Sequence, residues 1–155
     1  MHITVRLTRP EDIAAIDGLG TCTYPENYYE GHASFASKIH GNPETCWVAT
    51  ADEIVVGYAI AFPYILGEPY PIDQTYAPVP KPDCLYLHDL CVSALWRRLG
   101  VAKKLADKVL TSSWNTTALV AVMGSQPFWA KLGFVTEKEL DYYGLPAAYM
   151  VRQRA

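Results

Sequence analysis

The chain has little of what would tie it to a metal, a membrane or a nucleic acid. Its four cysteines, Cys22, Cys46, Cys84 and Cys91, form no C-x-x-C pair and have no clustered histidine partners, so neither a zinc site nor a disulfide framework is supported. They read as reduced, mostly buried thiols. No apolar run is long enough to cross a bilayer, and the start Met1-His-Ile-Thr-Val-Arg lacks a signal-peptide layout, so we expect a cytoplasmic protein with no membrane partner. Positive charge is short as well. Thirteen Lys and Arg against sixteen Asp and Glu give a net charge of -3, the wrong balance for a general nucleic-acid binder. Low-complexity tracts and convincing repeats are missing, which leaves little room for disorder beyond the termini. Asn115-Thr-Thr117 matches a glycosylation sequon, but without a secretory signal it reads as chance.

What is there is an ordinary globular balance: 155 residues, 50% hydrophobic and 19% charged, enough for one domain spanning 1–155. His2 to Leu7 alternates as a strand with Ile3, Val5 and Leu7 on one face. Pro10-Glu-Asp opens a helix with Ile13 and Ile16 on its apolar side, which Gly18 and Gly20 end. Glu26 to Ile39 reads as a second helix, closed by Gly41-Asn-Pro. Cys46 to Ala49 and Ile54 to Phe62 form a hairpin around Thr50-Ala-Asp-Glu. Tyr64 to Asp83 differs in character. It holds three tyrosines and, counted from Pro63 to Pro82, six prolines, and a loop of this length is read as a lid or wall of an acceptor site or as a surface excursion. Leu85 to Val92 is a central strand, and Leu99 to about Thr111 a helix with apolar positions 101, 105 and 109 on one stripe beside Ala102 and Ala106. Ala118 to Met123 is a buried strand, Ser125 the N-cap of a short helix through Leu132, and Phe134 to Leu140 and Ala148 to Arg152 two closing strands. The order β-α-α-β-β-β-α-β-α-β-β describes a mixed α/β sheet with helices on both faces.

The most informative segment is Arg97-Arg-Leu-Gly-Val-Ala102, between the central strand and its helix. A glycine loop opening a helix leaves N–H groups without intrahelical partners, and the helix dipole adds positive charge there, so an anion belongs at this point. Arg97, Arg98, Lys103, Lys104 and Lys108 cluster around it, either as a solvated helix face or as attraction for a phosphorylated cofactor. The spacing is neither G-x-G-x-x-G nor G-x-x-x-x-G-K-[ST].

Arg97-x-x-Gly100-x-Ala102 instead resembles the acyl-CoA signature [QR]-x-x-G-x-[GA] of the GNAT N-acetyltransferases, and Phe128-Trp-Ala-Lys-Leu-Gly-Phe134 is similar to that family's F-Y-x-K-x-G-F block. With the element order, the resemblance spans essentially the whole chain. It implies a splayed central mixed sheet flanked by helices and acetyl-CoA as co-substrate, with no metal. It implies that Leu90, Cys91 and Val92 lie on a bulged, splayed strand whose free backbone groups bond pantetheine, one N–H stabilising the oxyanion. Leu90 is our choice for that catalytic contact. The N–H groups of Arg98, Leu99, Gly100, Val101, Ala102 and Lys103 would hold the pyrophosphate, with Arg97 beside them, and Phe128, Trp129 and Lys131 of the second block would complete the cofactor site. A homodimer is the family-level expectation for assembly.

Acetyl transfer to an amine requires a base, and His88 is the candidate. Period-2 geometry puts it on the face of Leu90, toward the cleft if the bulge lies after it, with Asp89 on the opposite face. The alternative is a histidine hydrogen-bonded in the core. Trp129 stands where many members have an acidic tyrosine, and indole cannot supply that proton. Tyr142, Tyr143 or Tyr149 could, or each could simply pack. The family's asparagine before this helix is replaced by Gly124-Ser125, with Ser125 offering a hydrogen bond. The acceptor site should be bounded by Tyr24 to Tyr29, the proline loop and the last two strands. Tyr24, Glu26, Tyr28 and Tyr143 are its candidate residues, and Glu26, Glu68 and Asp73 are acids that could attract a cationic amine. Three functions remain open: acetylation of a small or amino-acid-like amine, acetylation of a protein or peptide, and acetyl-CoA sensing without turnover.

Overall fold

The computed structural model describes residues 2–72 and 74–154. Its elements are β1 (Ile3–Leu7), α1 (Ile13–Thr23), α2 (His32–Gly41), β2 (Trp47–Ala51), β3 (Ile54–Tyr64), β4 (Cys84–Val92), α3 (Val101–Leu110), β5 (Thr116–Val122), α4 (Gln126–Lys131), β6 (Val135–Tyr142) and β7 (Leu145–Gln153). Seven strands form one sheet in the order β1-β2-β3-β4-β5-β7-β6, antiparallel throughout except where β4 meets β5. This is the mixed α/β architecture that the order of elements implies. No helix among the described residues is long and apolar enough to cross a membrane.

Alternation along the strands feeds two cores. On one face Ala59, Ala61, Leu85, Leu87, Leu119 and Met150 pack under α3, whose Val101, Leu105 and Val109 form the expected stripe, and against Trp129 of α4. On the other face Tyr58, Ile60, Phe62, Cys84, Tyr86 and Cys91 pack under α1 and α2 through Ile13, Ile16, Phe35 and Ile39. The β2–β3 hairpin closes through Asp52 and Glu53 at φ 49° and 69°, the twist that a two-residue turn between right-twisted strands needs.

Three local expectations are corrected. Leu7 is 39% exposed and does not join Ile3 and Val5 in the core. Helix α1 runs through Gly18 and Gly20 to Thr23, because both glycines keep the helical ladder and Tyr24 N–H still reaches Gly20 O at 3.0 Å. Gly20 is there for space. A Cβ on it would lie 3.1 Å from both the Phe35 ring and the Tyr58 hydroxyl. The helix expected over 26–39 is two pieces, a 3-10 turn at Glu26–Tyr28 and then α2 from His32, and the break between them turns Glu30 inward. Replacing Gly20 with Val should therefore cost about 1–3 kcal/mol by overpacking, read as a lower denaturation midpoint. An unchanged midpoint would contradict this role.

Candidate active site

The site starts where β4 leaves its neighbour. β4 and β5 pair at Leu85–Thr117 and Tyr86–Ala118 and nowhere beyond. Just past that point β4 carries one residue more than β3: Leu87 opposes Ala61 and Asp89 opposes Ile60, leaving His88 as the surplus residue of a bulge. The bulge therefore falls at His88 and not after it. As a result His88 and Asp89 both lie on the α1/α2 face, while Leu90 returns to the α3 face. The expectation that His88 shares the face of Leu90, with Asp89 opposite, is wrong for this reason.

Beyond the bulge Ser93 N–H donates to Val56 O at 2.8 Å, so alternation directs the Cys91 backbone toward β3 and the Leu90 and Val92 backbones outward into the gap. Their carbonyls show it: Leu90 O accepts from the Tyr24 hydroxyl at 2.9 Å and Val92 O from Arg97 Nε at 3.2 Å. The outward N–H groups of Leu90 and Val92 have no β5 strand opposite them. Cys91 does not join them, since its main chain serves β3 and its buried thiol points to Leu19 O.

At the head of α3, Arg98 has φ 64° and Gly100 φ 81°, ψ 7°. No side chain caps the helix, and the Lys104 N–H bonds back to Gly100 O at 3.1 Å, so the amides of Val101, Ala102 and Lys103 have no intrahelical carbonyl. A Cβ on Gly100 would meet nothing within 4 Å, so its glycine serves the left-handed backbone and fronts open space where an anion can approach. Leu99 is exposed, Val101 is buried in the core, and the Lys103 side chain turns away to Asp107 at 2.8 Å. These features fit a pyrophosphate held by main-chain amides. Gly100→Glu should weaken acetyl-CoA binding tenfold or more by calorimetry while the folded spectrum is retained, and unchanged affinity would refute the assignment.

A cavity of about 420 Å³ crosses the sheet at the gap. Its α3 side is lined by Ala102, Ser125, Phe128 and Trp129 together with Arg97, and its α1 side by Tyr24, Tyr28, Glu30, His88, Asp89 and Tyr142. Ser125 occupies the N-cap position of α4, but its side chain makes no capping bond; its carbonyl instead accepts from the Phe128 and Trp129 amides. That helix ends at Lys131, which is exposed and does not line the cavity. Trp129 is 6% exposed, wedged edge-on against Phe128 and Phe134.

Of the acids expected at the acceptor site, Glu26 and Glu68 face solvent and Asp73 lies outside the described residues; among the described residues the acids that line the cavity are Glu30 and Asp89. Glu30 accepts from Lys38 Nζ at 2.6 Å and from Ser34 at 2.7 Å, and sits 2.7 Å from His88 Nε2. Burial alone would raise its pKa, but the His88 imidazole and the Lys38 ammonium overcome that and bring it down to about 2. Asp89 accepts from the Tyr24 and Tyr58 hydroxyls at 2.6 and 2.7 Å. Burial and then the Glu30 charge push it up to about 6, against the opposing pull of His88 and the phenols. Two further polar atoms of cavity-lining residues, Tyr28 Oη and His88 Nδ1, are buried without a partner among the described residues. Sequence reasoning missed Glu30 and Lys38, although Phe35, Lys38 and Ile39 share one helix face: a lysine on a core stripe demands a buried acid.

The proline loop is a fixed wall. Ile72 lines the cavity, and tyrosine hydroxyls fasten the loop backbone: Gly67 N–H to Tyr149, Tyr70 N–H to Tyr86, Ile72 N–H to Tyr143, and Tyr142 to Tyr70 O. Tyr143 and Tyr149 do not line the cavity.

These features agree with the sequence comparisons. The chain belongs to the acetyltransferase (GNAT) family, whose sequence model matches residues 13–134. A comparison with curated protein sequences finds no match. Among solved structures, the chain resembles Ard1 from Thermoplasma volcanium at TM-score 0.81 and 21% identity, covering 100% of this chain and 99% of that one. It resembles a chain of the NatC complex bound to Gag peptide and CoA at TM-score 0.79 and 17% identity, covering 100% of both. It also resembles the GNAT-like decarboxylase GphF in complex with isobutyryl-CoA at TM-score 0.83 and 16% identity, covering 97% and 98%. At such identities the likeness is one of fold.

The raised Asp89 pKa has a measurable consequence. Its stabilising contribution is fully present below the ordinary value of 3.8 and is lost as pH rises through about 6. The melting temperature of Asp89→Asn minus that of the unaltered protein should therefore increase between pH 4 and pH 7, whatever its sign at the start. A flat or falling difference would contradict the shift.

Proposed function

We propose that the protein transfers an acetyl group from acetyl-CoA to the primary amine of a small-molecule or amino-acid-like acceptor, by direct attack in a ternary complex. The observation that carries this reading is the cavity through the β4–β5 gap, with unclaimed amides on one side and a histidine on the other. The amides of Arg98 to Lys103 hold the pyrophosphate, and the outward backbone of Leu90 and Val92 takes pantetheine as an added strand. The Leu90 N–H faces the thioester carbonyl and stabilises the oxyanion that forms there. His88 takes one proton from the acceptor ammonium, so that the amine lone pair attacks the carbonyl carbon. The tetrahedral intermediate then expels the CoA sulfur, which receives the second proton of the nitrogen.

A small acceptor is favoured over a protein by the way the far end is tied together. Asn27 Nδ2 donates to Tyr143 O at 2.8 Å and the Tyr143 hydroxyl accepts from Ile72 N–H at 2.8 Å, linking the α1–α2 segment, the β6–β7 hairpin and the proline loop. Tyr24 and Tyr28 line the cavity on that side, and the buried, unpartnered Tyr28 hydroxyl is available to a polar group of the acceptor.

Thiol release from acetyl-CoA with a panel of amines and short peptides tests the activity and the acceptor class together. His88→Gln should lower kcat/KM about a hundredfold, with acetyl-CoA affinity unchanged. Near-normal turnover would place the base elsewhere.

A further inference from the structure

We propose that Glu30 is the positioning residue that fixes the His88 ring, keeping its proton on Nε2 and its free lone pair on Nδ1. The inference rests on the reading of His88 as the proton acceptor and adds how that acceptor is made.

The hydrogen bond between Glu30 Oε2 and His88 Nε2 spans 2.7 Å, with both side chains buried. An ionised carboxylate has no hydrogen to give, so the shared proton is the imidazole's. Glu30 is kept ionised by what surrounds its other oxygen. Oε1 takes the Lys38 ammonium and the Ser34 hydroxyl, and that ammonium, 0% exposed, is itself held by Ser34 Oγ and by Gln74 O at 3.0 Å. A lysine so enclosed needs its anion, and Glu30 supplies it. With Nε2–H donated to Glu30, Nδ1 of the neutral ring is a bare acceptor, and it is buried with no partner among the described residues, on a residue that borders the cavity. The reverse tautomer would set two lone pairs against each other at 2.7 Å and leave an Nδ1–H without an acceptor.

Among the described residues no other polar group contacts the ring. From β3 and β4 it meets Phe62 and Tyr86, and from the proline loop Tyr70, as ring contacts at 5.6 to 6.3 Å. Tyr142 borders the same cavity, but its hydroxyl donates to Tyr70 O. The neighbouring Asp89 carboxylate is occupied by Tyr24 and Tyr58. When Nδ1 gains a proton, the ring becomes an imidazolium whose counterion is already in place. Glu30 thus sets the tautomer and stabilises the product of proton transfer, as a carboxylate behind a histidine does in other acid–base sites.

Nitrogen-resolved NMR of the unaltered protein reads the tautomer without activity. We expect Nε2 protonated and Nδ1 bare on His88, and in Glu30→Gln, whose amide can donate to Nε2, the opposite. An Nδ1–H tautomer in the unaltered protein, or an unchanged one in the variant, overturns the proposal. In kinetics Glu30→Gln should lower kcat tenfold or more, with acetyl-CoA affinity unchanged, yet lower it no further in a His88→Gln background. Equal losses in both backgrounds would make Glu30 a merely structural residue. Full activity of His88→Gln alone would instead overturn the base assignment while the NMR result stands by itself.

Discussion

One surplus residue in β4 governs the rest of the site. At His88 the β3–β4 ladder slips by one, so two consecutive side chains, His88 and Asp89, enter the α1/α2 face where alternation would admit only one. The slip falls within two residues of the last β4–β5 pair at Tyr86, where the sheet opens. The same displacement sets which amides of β4 face the gap, namely those of Leu90 and Val92. A bulge interrupts ladder pairing and persists only if something holds it. Here Glu30 holds the first displaced side chain and the Tyr24 and Tyr58 hydroxyls hold the second. Buried polar contacts thus stabilise a backbone irregularity, and the irregularity creates both halves of the cavity.

Two carboxylates on this face illustrate how environment separates like groups. Glu30 is buried against the His88 ring and the Lys38 ammonium and is brought down to about 2; Asp89 is buried against phenols and a neighbouring anion and rises to about 6. The first is therefore a permanent counterion, the second a group whose charge follows pH. Phenols cannot repay desolvation of a carboxylate as fully as an ammonium can, because each supplies one neutral dipole and not a full charge. The tyrosines are correspondingly numerous where polar main chain must be fastened to an apolar face. Tyr86, Tyr142, Tyr143 and Tyr149 present large apolar rings to the core or hairpin and each spends its hydroxyl on a loop backbone group.

The order of elements was readable because its signals are local. The stripe of Val101, Leu105 and Val109 follows helical period, Gly100 stands where a left-handed residue opens α3, and strand alternation assigned most core residues. Local signals fail where tertiary contacts decide. Nothing in the run Leu85 to Val92 says at which residue β4 gains its extra member, since that is a property of its register with β3. Period-2 counting from Leu90 therefore put His88 on the wrong face. Tyr-Tyr-Glu30-Gly31 reads as more helix until it is known that Glu30 is needed by Lys38 and His88. Gly20 reads as a terminator because glycine usually is one, whereas the contact that requires it, with Phe35 and Tyr58, is long-range. Ser125 stands at a cap position without capping and borders the cavity instead.

The tryptophan at position 129 leaves the leaving-group proton to be accounted for, and the tyrosine hydroxyls narrow the choice. The Tyr142 proton is donated to Tyr70 O, and burial raises its pKa far above the ordinary phenol value. Tyr143 and Tyr149 accept loop amides outside the cavity. Tyr24 borders the cavity, but its one proton lies between Asp89 and Leu90 O, and burial makes it a still weaker acid. An acid fastened in this way cannot follow a departing sulfur. The amine, in contrast, carries a second acidic proton at the reacting nitrogen as soon as it has attacked, next to the sulfur it displaces. In the proposed transfer that proton balances the thiolate charge and no phenol is required, so the site can dispense with a tyrosine at 129 and use the position for an indole that packs against Phe128 and Phe134 and walls the cavity.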